Sequence, residues 1–190
     1  MPAAELLDAH QSVLVVIDMQ QRLLDAIPSP YREELIKHCR WLIHSAQRLN
    51  IPILTTEQYP KGLGKTDEKI SAILNDTPVI EKTCFSCSQS NSFTKQLTAL
   101  NRQQVVLCGV ETHVCVLQTA YELSAKEYQV FLAEDATASR SEHHHSNALS
   151  RLANIKSATP ITISNVESVM FEWLRDASHS EFKNISKLLK

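Results

Sequence analysis

Six short apolar runs recur along the chain, and each is followed by a longer stretch with polar breaks. The runs are Ser12–Asp18 (SVLVVID), Pro52–Thr56 (PILTT), Val79–Lys82 (VIEK), Gln104–Cys108 (QVVLC), Gln129–Glu134 (QVFLAE) and Pro160–Ile163 (PITI). Their length and content of Val, Ile and Leu read as buried strands. The intervening stretches read as helices at 30–49, 67–74, 90–100, 112–126, 142–154 and 165–175. Pro30 opens the first of these, with Ser29 as its cap. Strands that alternate with helices cannot pair through tight hairpins. They form a parallel sheet covered on both faces. The expectation is therefore an α/β fold: a doubly wound, six-stranded, mostly parallel sheet of Rossmann-like order 3-2-1-4-5-6, with helices on both faces. No repeat or linker divides the chain, so residues 1–190 read as a single domain, with 178–190 a C-terminal amphipathic tail. The apolar part of that tail could pack on a neighbouring subunit or on its own domain.

Bulk properties narrow the function. The 190 residues are 43% apolar and 21% charged, with a formal net charge of -2. No basic block supports nucleic-acid binding. No apolar run approaches the ~18 residues of a membrane span. The start, Met1–Asp8, lacks the basic and apolar regions of a signal peptide, so a cytoplasmic location is expected. Five cysteines, an odd number, argue against a disulfide framework. The only glycines are Gly62, Gly64 and Gly109. They cannot form a dinucleotide-binding glycine loop or a P-loop, and no cofactor is expected.

The topology says where chemistry should sit. Doubly wound sheets bind ligands beyond the carboxyl ends of the strands, where the strand order reverses. Asp18 ends the first strand, and Cys115 follows the fourth, its neighbour at that point. Lys82 ends the third strand, two places from the first and so about 10 Å away laterally, a gap that its long side chain narrows. A thiol at a helix start is favoured as thiolate by the helix dipole, and an adjacent ammonium pushes the same way. A carboxylate can shuttle its proton, and the unpartnered amides of a first helical turn can hold an oxyanion. Each residue also has a plainer reading. A cysteine is often core filler, an Asp can be a cap, and a lysine after a strand is usually a solvated charge.

The segments VLVVIDMQ, TTEQYPKGLGKT, EKTCFS and CGVETHVCVLQTA resemble those of the isochorismatase-like cysteine hydrolases. TEQYPKGLG is similar to the small isochorismatase-domain-containing proteins in particular. The resemblance covers residues 10–175 and implies an Asp–Lys–Cys triad that maps, motif by motif, onto Asp18, Lys82 and Cys115. It implies a cis peptide at Val110–Glu111 that turns the Glu111 amide toward the same oxyanion as the Cys115 amide. It places Gln20 in the lining of the site, and Tyr59, Phe85 and Leu117 read as pocket walls. Because a cysteine stands in the nucleophile position, the resemblance implies a small amide, urea or related C–N substrate and a thioester-type intermediate. Nicotinamidases of this family carry an Asp-x-His metal motif after the second strand. No histidine lies between His44 and His113, so no metal is expected. Homo-oligomers are common in the family, and one is expected here.

Other signals are set aside. Cys84 and Cys87 form a C-x-x-C, but it follows a strand rather than opening a thioredoxin-like helix. His143, His144 and His145 read as a solvated face, since consecutive helical positions do not share a side. His113 could be a base, with its direction undetermined. The expected function is hydrolysis. The alternative is a binding or scaffold protein with a vestigial triad.

Overall fold

A computed structural model describes residues 6–75, 77–157 and 159–189. Residues 1–5, part of the start read above for a signal, lie outside them. The strands are β1 (Ser12–Ile17), β2 (Ile53–Gln58), β3 (Val79–Lys82), β4 (Gln104–Val110), β5 (Gln129–Ala138) and β6 (Ile161–Ser164). They form one sheet, parallel throughout, in the order β3-β2-β1-β4-β5-β6. The helices are α1 (Gln21–Asp25), α2 (Ser29–Arg48), α3 (Pro60–Leu63), α4 (Glu68–Ser71), α5 (Asn91–Ala99), α6 (Leu117–Ala125), α7 (Glu142–Ala153), α8 (Val166–Leu174) and α9 (Phe182–Ser186). The doubly wound α/β architecture is the one the strand–helix alternation implies.

Both faces of the sheet are covered, and β1 shows why its sequence is an unbroken apolar run. Leu14 and Val16 face a core built with Leu42 and Ile43 of α2 and Val169 and Trp173 of α8. Val13, Val15 and Ile17 face the opposite core, built with Phe93 of α5, Leu123 of α6 and Leu152 of α7. Every residue of β1 is fully buried, as a central parallel strand demands. The C-terminal tail packs on its own chain: Ile185 is fully buried in the first core, with Phe182, Leu188 and Leu189 against it.

Several local expectations shift. Helix α2 begins at Ser29, with Pro28 before it as the cap position. The Ser29 hydroxyl donates to Glu33 at 3.2 Å instead of capping the helix. The polar loop after β2 contains the short helix α3, and α1 follows β1 directly. Strand β5 runs four residues past its expected end. A register shift lies between Leu107 and Gly109, and beyond it Gly109 pairs with Thr137 and Val110 with Ala138. The segment that follows does not enter an α-helix at once: Thr112–Val116 forms a turn of π-helix, and α6 starts only at Leu117. Cys115 therefore sits inside this wider turn and not in the first turn of an α-helix.

Gly109 of β4 pairs with Ile17 of β1 and packs tightly against its backbone. Its φ is +114°, and a Cβ there would stand 2.0 Å from the Ile17 carbonyl oxygen. No L side chain fits both conditions. Gly109→Ala is expected to lower unfolding stability by about 3 kcal/mol or more, read as a fall in the urea midpoint. An unchanged midpoint would contradict this account of the β1–β4 contact.

Candidate active site

The carboxyl ends of β1, β2 and β3 are tied together by one buried polar cluster. Asp18 follows β1 with a left-handed backbone (φ 50°), a conformation that Asp tolerates better than most residues. Its amide donates to the Thr56 carbonyl, so the ladder continues one residue past the strand. The carboxylate is fully buried and both oxygens are engaged. Thr56 Oγ1 donates to Oδ1 at 2.7 Å, and Lys82 Nζ donates to Oδ2 at 2.7 Å. Lys82 Nζ also donates to Gln58 Oε1 at 2.7 Å and to the Phe85 carbonyl at 3.1 Å. Thr56, Gln58 and Lys82 alternate outward from one sheet face, as period-two strands require.

Cys115 approaches this cluster from the turn after β4. Its sulfur lies 4.0 Å from Gln58 Oε1, the atom that Lys82 holds, and the residue keeps 5% of its surface open to solvent. Asp18, Lys82 and Cys115 are thus gathered at one rim of the sheet, with Thr56 and Gln58 between them. Burial opposes the charged form of Lys82, but the Asp18 carboxylate, together with Cys87 and Cys115, outweighs it and raises the pKa of the ammonium above its ordinary value. For Cys115 the balance runs the other way. Burial and then the Asp18 charge push the thiol well up, and the Lys82 attraction does not offset them. The expected resting thiolate is therefore not found. Lys82 is already committed to Asp18 and Gln58, and the sulfur keeps its proton until something beside it draws the proton away.

Gln20 is fully buried, and its amide faces the protein rather than an open site. Nε2 donates to the carbonyls of Gln58 at 3.0 Å and Gly64 at 2.6 Å, while Oε1 accepts from Gln58 N at 2.7 Å. It fixes the end of β2, and so Gln58, instead of offering groups to a substrate. Tyr59, with a left-handed backbone, is 53% exposed and lines a cavity of about 470 Å³ with Lys61, Glu81, Lys82, Cys84 and Gln89. Phe85 is equally exposed, at 53%. Leu117 lies elsewhere, in a groove between α6 and α7 with Tyr121 and Arg151. Neither Phe85 nor Leu117 lines the cavity that Tyr59 lines.

The Val110–Glu111 peptide is cis. The Glu111 carboxylate is buried but held below the usual carboxylate range, because Arg140 offsets the cost of burial. His113 is turned to Ser139 Oγ, 2.9 Å from Nδ1, and stacks on His144 with ring centroids 4.7 Å apart. Burial, with His144 and Arg140, lowers its pKa. His145 is half-buried against the Thr112 hydroxyl at 2.9 Å, so the three histidines do not form the plain solvated face expected of them. Among the described residues, no group of three or more His, Cys, Asp or Glu side chains is arranged to hold a metal ion. No helix among them is long and apolar enough to cross a membrane.

Thr56 and Gln58 escaped the sequence reading, which noticed Cys87 only as half of a C-x-x-C. Cys87 is fully buried, 3.8 Å from Thr56 Oγ1, and its amide donates to Thr119 Oγ1. A signal for Thr56 and Gln58 was available: both lie on one face at the carboxyl end of β2, the edge of the switch point. All five cysteines are free.

The strand order and this rim define an isochorismatase-like α/β fold. A family model for the isochorismatase domain matches residues 12–164, and the chain belongs to that family. A secreted isochorismatase effector, Isc1, of Phytophthora sojae is 37% identical over 95% of this chain and 85% of its own length. Isochorismatase domain-containing protein 2A of Mus musculus is 34% identical over 95% of this chain and 84% of its own. The solved structure of the MAR1 ribonuclease of Caenorhabditis elegans superposes with a TM-score of 0.88 and 34% identity, covering 97% of this chain and 92% of that one.

The buried thiols set a pH dependence. Burial pushes Cys87 up to about 11, with Lys82 opposing and Asp18 adding to it. An unfolded cysteine ionises near 8.5, so in this range the folded state keeps a proton that the unfolded state releases. Its contribution to stability is complete below about pH 8.5 and is lost as pH rises toward 11. Each such group takes about 1.4 kcal/mol per pH unit from the unfolding free energy in that window. Urea midpoints of the parent and Cys87→Ala from about pH 8 to pH 10.5 should show a shallower alkaline decline in the variant. Parallel slopes would exclude Cys87 as a source.

Proposed function

We propose that the chain is a metal-independent cysteine hydrolase that opens the C–N bond of a small amide, urea or related substrate. The observation that carries this reading is the placement of the Asp18 carboxylate. Fully buried, it has Lys82 and Thr56 fixed on its two oxygens, and the Cys115 sulfur stands beside Gln58 at the same rim. Such a carboxylate is held in place, and it has a thiol proton to take.

The steps follow from these positions. Asp18 takes the Cys115 proton as the sulfur attacks the substrate carbonyl carbon. This suits a thiol that is neutral at rest, because the nucleophile forms only when the base and substrate are both in place. Negative charge moves to the carbonyl oxygen, which the Glu111 and Cys115 amides face in this reading. As the C–N bond breaks, Asp18 passes its proton to the leaving nitrogen, and a thioester remains. Water then attacks the thioester carbon, gives a proton to Asp18, and the acid leaves as the sulfur is reprotonated. Lys82 stays charged throughout and keeps Asp18 oriented. Gln58 spaces Lys82 from the sulfur, and Gln20 holds Gln58. The net charge of -2 offers no general attraction to a polyanion such as RNA.

A panel of small amides and ureas, read by mass spectrometry for an acyl group on Cys115, tests the reading. Cys115→Ala should carry no adduct and turn over nothing. Asp18→Asn should slow adduct formation by roughly 100-fold or more, the scale of a lost general base. If Cys115→Ala keeps the parent rate, the mechanism fails. If the label settles on Cys84 instead, the nucleophile is misassigned.

A further inference from the structure

The turn that carries the nucleophile is gripped by the connection after β5 and the start of α7. Three consecutive residues before Cys115 each find a polar partner there, two in the segment between β5 and α7 and one, His145, in the first turn of α7. Glu111 is held by Arg140, Thr112 by His145 at 2.9 Å, and His113 by Ser139 at 2.9 Å. The first contact differs from the others in strength and form. Arg140 Nε donates to Glu111 Oε1 at 2.9 Å, Nη2 donates to Oε2 at 2.6 Å, and the Arg140 amide adds a third bond to Oε1 at 3.1 Å. The Glu111 side chain is only 7% exposed, whereas that of Arg140 is 59% exposed. A bidentate fork of this kind fixes direction as well as charge.

The charge itself poses a problem for the proposed chemistry. A glutamate carboxylate cannot lie more than about 6 Å from its own amide nitrogen, by bond lengths alone. In the reading above, that amide faces an oxyanion. An unneutralised, mostly buried carboxylate so close would repel the charge the turn is meant to stabilise. The geometry points to Arg140 as the positioning residue of the oxyanion turn. It orients the Glu111 backbone through a two-pronged grip on the side chain, and it cancels a negative charge that would otherwise oppose the tetrahedral intermediate. Arg140 touches no reacting atom and acts through Glu111. This role rests on the cysteine-hydrolase reading.

Two probes separate the turn from the nucleophile. Iodoacetamide reacts with the sulfur by displacement and builds no oxyanion. p-Nitrophenyl acetate acylates the sulfur through a tetrahedral oxyanion, releases p-nitrophenolate and leaves an acetyl thioester on Cys115. In Arg140→Met the p-nitrophenolate burst should slow roughly 10- to 100-fold, within the range of damage to an oxyanion site. Iodoacetamide labelling of Cys115 should stay within about twofold of the parent, since Asp18 and Lys82 are untouched. Arg140→Lys keeps the charge without the fork and should fall between. The discriminating variant is Arg140→Met combined with Glu111→Gln. It removes the buried charge together with its neutraliser, so its burst should recover at least threefold over Arg140→Met alone. A grip that served stability only would give no such recovery.

A double variant no faster than Arg140→Met overturns the role, as does a loss of iodoacetamide labelling in step with acylation. Cys115 that alkylates in the parent but never acquires an acetyl group also overturns it, while leaving the nucleophile assignment standing. Cys115 inert to both probes removes the cysteine-hydrolase reading itself.

Discussion

A lysine and an aspartate, both without solvent exposure at their side chains, face each other at 2.7 Å from the ends of two strands that are not neighbours. Burying either alone would be costly, and removing one partner of such a pair leaves an uncompensated charge inside the protein. The pair is tolerable only because its remaining capacity is used. Thr56 and Gln58, from the strand between, supply a donor to the carboxylate and an acceptor to the ammonium. Gln20 in turn fixes Gln58 by bonding to both its backbone amide and its carbonyl. The fully satisfied network locks the carboxyl ends of β1, β2 and β3 in one arrangement, and a fully connected buried network has one low-energy geometry rather than several.

That rigidity has a chemical consequence. The same Asp18 charge that anchors Lys82 raises the Cys115 thiol instead of releasing its proton, with burial acting in the same direction. A neutral resting sulfur is less exposed to adventitious oxidation and alkylation than a standing thiolate. Under the proposed mechanism the reaction then depends on placement: the base, its orienting ammonium and the sulfur are all in position before substrate enters. The β5–α7 segment frames the other side of the same turn, so the cysteine lies between two preorganised walls.

Much of this was legible in the residues. Strands that are apolar along their whole length, as in Ser12–Ile17, announce a central parallel position, and the alternation with helices gives the winding. Asp18, Lys82 and Cys115 stand at strand ends, where such sheets collect chemistry, and their motifs carry the family resemblance. What stayed hidden was long-range or hydrogen-bonded. Glu111 and Arg140 are 29 residues apart, and nothing local in either marks the other as its partner. Gln20 sits in a motif that suggested an open site, yet its three bonds turn it inward. The extension of β5 to Ala138 depends on a register shift against β4, which no single segment encodes.

The sequence by itself determined the winding of the sheet and which side chains would stand at its carboxyl rim, because strand burial and strand ends are written in local apolar pattern. It could not determine the charge state of the sulfur. A thiol near a helix start and an ammonium reads as activated, but its proton is decided by the sum of burial and every neighbouring charge. Those neighbours, Asp18, Lys82 and Cys87, come from the ends of β1 and β3 and the turn after β3. Only their meeting in three dimensions put Asp18 close enough to Cys115, and Lys82 firmly enough onto Asp18, for the balance to fall on the neutral side.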